Sequence, residues 1–286
     1  MTLRYHELKN RHFEDVRHRY RAADSMLYAL GIGMGADPHD LSQLRFVYEQ
    51  DLLAMPTMAV VLGCPGFWMR APDTGLDWKN ILHIEQSLTL HHTLPPIGDV
   101  VGKTVVESIV DKRAKGAVLT TRRDIFDAAT SLLLASTRST MLCRNEGHFG
   151  GGDATVSVAH PVPQGPPDLC CVLPSFAQSA LIYRLSGDHN PLHADIRVAQ
   201  GVGFDRPILH GLCTFGMAGH AALRVLCGYD TARLKGMKLG FSAPFYPGES
   251  LGTSFWILGG GRAAFQCHSV ERNALVIQHG LVDYLE

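Results

Sequence analysis

The chain has 286 residues, of which 46% are apolar and 19% are charged, and its formal net charge is −1. These proportions are typical of a globular protein with a sizeable core and do not fit a disordered chain. A net charge near zero provides no general field to attract nucleic acid, and no apolar run approaches the roughly 18 residues of a membrane span. We therefore expect neither a nucleic-acid partner nor a membrane span.

The first half of the chain predicts a helix followed by strands. The helix covers residues 22–30, with Asp24 near its start and Gly31 at its end. Residues 51–63 are apolar and predict a buried helix that Pro56 interrupts. Four β-rich runs follow, at residues 82–90, 100–110, 117–126 and 131–141.

A stretch rich in glycine and proline divides the chain near its middle. Glycines cluster at positions 147–152 and prolines at positions 161–167. Because glycine adds chain freedom and proline removes an N–H donor, we expect no regular element here. The division predicts an N-terminal unit at residues 1–150, a linker at 151–168 and a C-terminal unit at 169–286.

The second half repeats the order of the first. Short helices are predicted near residues 175–185 and 194–200, and a long apolar helix over 208–226 ends at Gly228. Strand-like runs follow at residues 232–241, 250–258, 262–270 and 275–284. A helix followed by antiparallel strands is an α+β pattern, and its recurrence suggests that one unit has been duplicated.

A short loop in the second half carries the chemistry. Asp188 and His193 stand five residues apart, among the structure-breaking residues Gly187, Asn190 and Pro191. A carboxylate and an imidazole that point at one water molecule could move its protons. Asp-x-Asn-Pro alone is a common turn former, however, and an Asp–His pair is often just hydrogen-bonded structure.

The segment after this loop predicts a place for negative charge. Pro207 is suited to begin the next helix, because its missing N–H would have no partner there. The first N–H groups of a helix are unpaired and favour an anion, and Gly211 has no side chain to block a substrate carbonyl. Cys213 beside His210 could act as a nucleophile, but a buried thiol is the simpler interpretation.

These residues carry a family resemblance. The strings GDHNPLHAD at residues 187–195 and PILHGLCT at 207–214 closely resemble the signature of the (R)-specific enoyl-CoA hydratases. These are the MaoC-like or type 2 hydratases, which include the hydratase part of the peroxisomal multifunctional enzyme type 2. Four further strings match in order, namely YALGIG at 28–33, FVYE at 46–49, LHIEQ at 82–86 and PFYPG at 244–248.

The resemblance implies a fold and a reaction. The fold is a double hot-dog, with two units in one chain, each a long helix wrapped by an antiparallel sheet. The reaction is the reversible syn addition of water to a trans-2-enoyl-CoA, which gives a (3R)-3-hydroxyacyl-CoA. The resemblance also implies a homodimer and an acyl-CoA partner. No cofactor is expected, because CoA is part of the substrate.

The resemblance assigns roles to individual residues. Asp188 and His193 would be the catalytic pair, Asn190 would help to hold the water or the pair, and the Gly211 N–H would receive the thioester oxygen. Which member of the pair activates water stays open. The positions that would contact substrate or CoA are His83, Ile84, Lys112, His189, Pro191, Leu192 and Phe241. The positions that would support the site are Tyr28, Glu49 and Tyr183.

Two of these positions are less simple. The turn that holds Lys112 is one residue longer than in the family, so Lys115 or Arg113 could meet the CoA phosphates instead. His189 stands where the family often has a bulky aromatic residue.

The first half lacks the catalytic string, so the resemblance gives it the shaping of the acyl pocket. Its apolar segment 52–69 would line that pocket or would be ordinary core. The residues concerned are Met55, Met58, Phe67, Trp68 and Met69.

The remaining expectations concern alternatives and location. A hot-dog acyl-CoA thioesterase and a non-catalytic acyl-CoA-binding module are the competing functions. Seven cysteines without C-x-x-C or zinc spacing predict reduced thiols and no metal. With no apolar signal at the N-terminus and no Ser-Lys-Leu ending, we expect a cytoplasmic protein. The acyl length and branching of the substrate stay open.

Overall fold

The computed structural model describes residues 3–154 and 161–286, so positions 155–160 of the predicted linker lie outside the described residues. Ten strands form one antiparallel sheet in the order β1-β3-β4-β5-β2-β7-β10-β9-β8-β6. The strands are β1 (Val16–Tyr20), β2 (Ile81–Leu90), β3 (Gly98–Asp111), β4 (Ala117–Asp127), β5 (Leu133–Cys143), β6 (Leu169–Pro174), β7 (Leu234–Phe241), β8 (Ser250–Ile257), β9 (Arg262–Ser269) and β10 (Ala274–Tyr284).

The strand order repeats between the two halves. The first five strands run 1-3-4-5-2 across the sheet, and the last five run 6-8-9-10-7 from the opposite edge, which is the same order. The halves meet where β2 pairs with β7, with Glu85 opposite Gly240 and Thr89 opposite Gly236. This repetition confirms the α+β architecture and agrees with a duplicated unit, whereas the domain boundaries stay predictions.

Six helices accompany the sheet in the described residues. They are α1 (Tyr5–Lys9), α2 (Ala22–Gly31), α3 (Leu41–Leu44), α4 (Ser179–Tyr183), α5 (Ile196–Gly201) and α6 (Gly211–Cys227). The predicted helices of residues 22–30 and 208–226 are therefore α2 and α6, and Gly228 ends α6 in the left-handed region with φ 58°. A long helix is present only in the second unit, since α2 has 10 residues against 17 in α6.

Two helix predictions were wrong. Residues 51–63 do not form a buried helix, and only Pro56–Val60 adopts a short 3₁₀ turn, because proline begins such a turn and cannot continue a helix. Pro207 does not begin α6, which starts at Gly211 with His210 as its N-cap. Among the described residues, no helix is both long and apolar enough to cross a bilayer.

Helix α6 lies in the main core and is buried along most of its length. Close packing there depends on glycine. A Cβ atom at Gly216 would lie 2.9 Å from the hydroxyl oxygen of Tyr28, and one at Gly219 would overlap the side chain of Thr57. Met55 and Met58 belong to this core, while Trp68 and Met69 belong to a second apolar cluster and Phe67 is exposed. This placement favours ordinary core for the four buried or partly buried residues.

A second close approach joins a loop of the first unit to its sheet. A Cβ atom at Gly102 on β3 would overlap the carbonyl oxygen of Gly63, whose N–H is held by the His18 Nδ1 atom at 3.2 Å. Because both partners are backbone, neither can rotate away, so residue 102 must be glycine for this packing.

We predict that Gly102→Ala lowers the free energy of unfolding by about 2 kcal/mol, because the added methyl group displaces backbone. Urea denaturation measures the change. Gly240→Ala is the matched control, since it also lies in a strand and its Cβ atom would stay 3.5 Å from the nearest atom. Equal effects of the two substitutions would contradict the packing argument.

Candidate active site

The loop after α4 folds into two consecutive side-chain turns. Gly187 is left-handed with φ 116°, which turns the chain into Asp188. The Asp188 Oδ1 atom accepts the Asn190 N–H at 3.1 Å, and the Asn190 Oδ1 atom accepts the Leu192 N–H at 3.1 Å. Pro191 then begins the 3₁₀ turn Pro191–His193. Short polar side chains that cap their own backbone therefore set the direction of this loop.

A second segment, residues 208–211, closes over the loop through two reciprocal hydrogen bonds. The His193 Nδ1 atom lies 2.9 Å from the carbonyl oxygen of Ile208, and the His210 Nε2 atom lies 3.2 Å from the carbonyl oxygen of Asp188. A carbonyl oxygen can only accept, so each of these ring nitrogens carries the hydrogen. In the neutral rings, His193 Nε2 and His210 Nδ1 are then lone-pair acceptors.

The two segments bring three functional side chains together. The rings of His193 and His210 stack with centroids 3.8 Å apart and planes 30° apart. One ligand atom from each of Asp188, His193 and His210 lies within 4.8 Å of the others. These distances suit a shared water molecule and would also admit a metal ion. Stacked imidazoles aim their in-plane lone pairs side by side rather than at one point, so we interpret the group as an acid–base cluster.

Burial favours the neutral form of both imidazoles in the cluster. His193 is 8% exposed, and burial lowers the pKa of its ring although the Ile208 carbonyl and the Asp188 charge oppose the shift. Burial and the neighbouring His193 lower the pKa of His210 to about 3. Arg184 acts in the same direction on both rings. Two imidazoles this close cannot easily both be charged.

The N-terminus of α6 faces the same region. His210 is the N-cap, and its carbonyl oxygen accepts the Cys213 N–H at 3.0 Å and the Thr214 N–H at 3.1 Å. The Gly211 N–H has no acceptor among the residues that the structure describes. A Cβ atom at Gly211 would lie 3.3 Å from the Phe241 ring. The N–H thus remains available to a ligand oxygen beside an aromatic wall.

The strands β2 and β7 contribute the wall next to Gly211. His83 packs edge-to-face on Phe241 with centroids 5.0 Å apart, and its Nε2 atom lies 2.9 Å from the Glu85 carbonyl oxygen. Burial lowers the pKa of His83 to about 4, against an opposing effect of the Asp188 charge. His83 and Phe241 are therefore brought to the cluster, and half-buried Ile84 follows His83 on β2.

Two buried tyrosines lie behind the cluster. The Tyr183 ring is 5.2 Å from the His210 ring and 5.8 Å from the Tyr28 ring, measured between centroids. Burial raises the pKa of both hydroxyl groups above the usual range. The Tyr28 hydroxyl interacts with Thr57 and with the Tyr183 hydroxyl, although among the described residues neither contact has the geometry of an ordinary hydrogen bond. The predicted supporting positions Tyr28 and Tyr183 are thus near the cluster.

The other predicted residues lie at the rim or elsewhere. His189 and Pro191 are exposed on the catalytic loop, and Leu192 is half-buried there. Lys112 lies in the turn between β3 and β4, where its backbone N–H donates to the Gly116 carbonyl oxygen. Glu49 is exposed and makes no hydrogen bond or ion pair with a described residue, so the structure does not bring it into the cluster.

Sequence reasoning missed His210. His210 lies in the string PILHGLCT and immediately precedes Gly211, but the resemblance assigns it no role. Cys213 is fully buried, its sulfur lies 3.3 Å from the Gly31 carbonyl oxygen, and burial raises its pKa. The interpretation of Cys213 as a buried thiol is therefore confirmed.

We predict that acid destabilises the fold between pH 6.5 and 5. In the unfolded chain His83 and His210 take up protons near pH 6.5, but in the folded protein they stay neutral to about pH 4 and 3. Their contribution is complete above pH 6.5 and is lost as the pH falls, by up to about 1.4 kcal/mol per pH unit for each ring. Urea unfolding measured at several pH values gives the slope.

His83→Phe should reduce the slope of stability against pH by up to about 1.4 kcal/mol per pH unit, which is the contribution of one proton. The substitution removes one imidazole that the unfolded chain protonates and the folded protein does not. His92→Gln serves as the control, since His92 is exposed. A stability that does not change between pH 6.5 and 5 would contradict the assignment of neutral buried rings.

Comparison with known proteins matches the chain to two family models. Residues 18–145 match the MFE-2 hydratase 2 N-terminal domain, and residues 158–279 match the MaoC-like domain. Together the two models account for most of the chain, and each covers one of the two halves whose strand order repeats.

Individual relatives agree with this match. The 3-hydroxyacyl-thioester dehydratase Y of Mycobacterium tuberculosis is 36% identical over 92% of this chain and 92% of its own length. The peroxisomal enoyl-CoA hydratase 2 of Arabidopsis thaliana is 35% identical over 94% of this chain and 91% of its own length. A MaoC-like dehydratase from Phytophthora capsici superposes with a TM-score of 0.86 at 32% identity, over 98% of each chain. The chain therefore has the double hot-dog fold and belongs to the MaoC-like, type 2 enoyl-CoA hydratase family.

Proposed function

We propose that this protein catalyses the reversible hydration of a trans-2-enoyl-CoA to a (3R)-3-hydroxyacyl-CoA. The observation that carries the proposal is the convergence of Asp188 and His193 beside the N-terminus of α6. The named activities of the relatives, hydration of enoyl-CoA and dehydration of 3-hydroxyacyl thioesters, support the same reaction class.

In the proposed mechanism, His193 is the base that activates water. Its Nδ1–H is held by the Ile208 carbonyl oxygen, so the neutral ring offers the Nε2 lone pair to a water molecule. One Asp188 oxygen is engaged by the Asn190 N–H, and the other can hold the second hydrogen of that water. The Asn190 side-chain NH₂ group could donate to the water oxygen, since its Oδ1 atom is used by Leu192.

In this mechanism one imidazole, that of His193, both takes the proton from water and returns it to the substrate. As the water oxygen bonds to C3, His193 takes the proton and the C2–C3 π electrons move toward the thioester oxygen. Asp188 then stabilises the imidazolium, which returns the proton to C2 as the π electrons move back. Water is thus added across one face by groups on one side of the double bond, and the enzyme is regenerated in its starting state.

The developing negative charge would be bound by Gly211. Its N–H is the first of α6, so the helix dipole and the free donor both favour an oxyanion. Each such donor contributes on the order of 3 kcal/mol to the transition state.

Substrate binding is assigned to the residues around this centre. We propose that His83, Ile84 and Phe241 form a wall against the enoyl group. The exposed residues His189 and Pro191, with Leu192, would contact the pantetheine arm, and Lys112 would meet CoA phosphates. We further propose a homodimer that works in the cytoplasm and needs no metal or cofactor.

We predict that Asp188→Asn and His193→Gln each lower kcat/KM for crotonyl-CoA by about 10³-fold or more, because the first removes the charge that stabilises the His193 imidazolium and the second removes the base. The assay follows loss of enoyl absorbance, and thermal unfolding checks the fold. His12→Gln is the control, since this exposed ring lies outside the site. Full activity in either site variant would refute the assignment.

The same assay separates the competing functions. A hydratase consumes the enoyl group without releasing free thiol, whereas a thioesterase releases thiol. A binding module would retain acyl-CoA affinity and change neither signal. Release of thiol that depends on Asp188 would replace the hydratase assignment by the thioesterase.

We also predict the pH dependence of hydration. Because burial lowers the pKa of His193, its ring stays unprotonated below the ordinary histidine value of 6.5. The acidic limb of the kcat/KM profile should therefore have its midpoint below pH 6.5. A midpoint above pH 6.5 would contradict the lowered pKa of His193, and a loss of activity as the pH rises through this range would contradict a neutral imidazole as the base.

A further inference from the structure

We propose that His210 is a positioning residue, which holds the catalytic pair and the oxyanion donor in register. This inference rests on the proposed function and adds a residue to its site. His210 would not touch the reacting atoms. It would act on them through three neighbours, namely Asp188, His193 and Gly211.

The contacts of His210 reach all three functional groups. Its Nε2–H donates to the Asp188 carbonyl oxygen at 3.2 Å and so fixes the backbone from which the carboxylate projects. Its ring stacks on His193 at 3.8 Å and limits rotation of that imidazole. Its peptide carbonyl carbon is bonded to the nitrogen of Gly211, whose N–H would receive the substrate oxygen. A displacement of His210 would therefore misplace the His193 base, the Asp188 carboxylate and the oxyanion donor together.

The position of His210 is itself fixed by α6. As N-cap it accepts, on its carbonyl oxygen, the N–H groups of Cys213 and Thr214 and the Thr214 hydroxyl at 3.2 Å. The Tyr183 ring packs against the His210 ring, with centroids 5.2 Å apart. A rigid helix end thus transmits its placement to the loop of Asp188.

The cost of this arrangement points to a role beyond packing. His210 is 1% exposed, and its Nδ1 atom is buried without a partner among the described residues. A buried acceptor without a donor is unfavourable, and a phenylalanine ring would avoid it. What an imidazole supplies here and phenylalanine cannot is the Nε2–H that holds Asp188.

A neutral His210 also keeps the proton balance simple. Burial and the adjacent His193 hold its pKa far below the ordinary value. Any proton that the stacked rings take up then resides on His193, which is the ring with a lone pair toward the proposed water.

The test compares two substitutions in the full-length enzyme with crotonyl-CoA as substrate. His210→Phe keeps a ring for the stack but removes the donor, and we expect kcat to fall about 10- to 100-fold while KM changes less than about threefold. His210→Gln restores an N–H donor at similar reach, and it should recover most of the lost kcat. The melting temperature of His210→Phe should stay close to that of the wild type, since removal of the unpaired Nδ1 acceptor offsets the lost hydrogen bond to the Asp188 carbonyl oxygen.

Several outcomes would overturn the inference. A His210→Phe enzyme with wild-type kcat would show that the donor is not needed. A His210→Gln enzyme as slow as His210→Phe would show that the N–H donor is not what His210 supplies. If both variants lose kcat and melting temperature, and to the same extent in each variant, the role of His210 is only structural.

A second measurement does not depend on activity. Nitrogen-15 spectra of the histidine side chains should show His210 with its hydrogen on Nε2, and a His210 with its hydrogen on Nδ1 would overturn the inference. If the wild type does not hydrate crotonyl-CoA while the tautomer is as expected, the proposed function fails and the positioning contact stands. If the wild type is active and the tautomer is reversed, the inference fails alone.

Discussion

The structure depends on a reciprocal pair of hydrogen bonds between two short segments. Each segment supplies one imidazole N–H to a backbone carbonyl of the other, from His193 to Ile208 and from His210 to Asp188. Because both acceptors are backbone carbonyls, the pairing fixes main-chain positions as well as ring orientations. The same two bonds determine which nitrogen of each ring is free. They therefore set both the geometry of the site and its acid–base properties.

The two hydrogen-bonded segments that hold Asp188, His193 and Gly211 lie in the second unit alone, although both units share one strand order. Both units have the same strand order, but only the second carries the loop and the 17-residue helix whose N-terminus faces it. The first unit contributes at a distance, through Tyr28 behind the cluster and His83 on β2. Pairing of β2 with β7 makes the two units one sheet, which brings His83 against Phe241. A duplicated scaffold therefore supports the site in the second unit, and the first unit supplies part of its wall.

The sequence predicted those elements whose pattern lies in neighbouring residues, and it did not predict features that depend on contacts between distant parts of the chain. The inner strands have 8 to 14 residues each and α6 is long and apolar, so their patterns were readable. Strands β1 and β6 were missed, because they are the two edges of the sheet. Edge strands are often polar or proline-bearing, as β1 is with Arg17 and Arg19 and β6 is with Pro174. The prediction that Pro207 begins α6 was wrong because proline is tolerated at the start of a helix but does not by itself begin one.

The site was predictable to the same extent. Asp188 and His193 stood out because loop residues with proton-handling side chains are rarely accidental in such a string. His210 did not stand out, since its role arises from contacts across 17 and 22 positions of the chain, to His193 and to Asp188. No periodicity encodes a contact of that kind. Glu49 shows the converse, because a matching residue type in a matching string lies exposed and apart from the cluster.

Burial of the imidazoles links the stability of this protein to its chemistry. Rings that stay neutral in the folded state make the protein less stable in acid, since the unfolded chain binds protons that the folded chain refuses. The same neutrality leaves His193 with a lone pair at neutral pH, which is the form that a base requires. A more exposed site would tolerate acid better, but water would then compete for the Nε2 atom and weaken the interaction of the Gly211 N–H with an oxyanion. If His193 is the base and the Gly211 N–H is the oxyanion donor, as we propose, the buried cluster gives up acid resistance for two groups that are in place before substrate arrives.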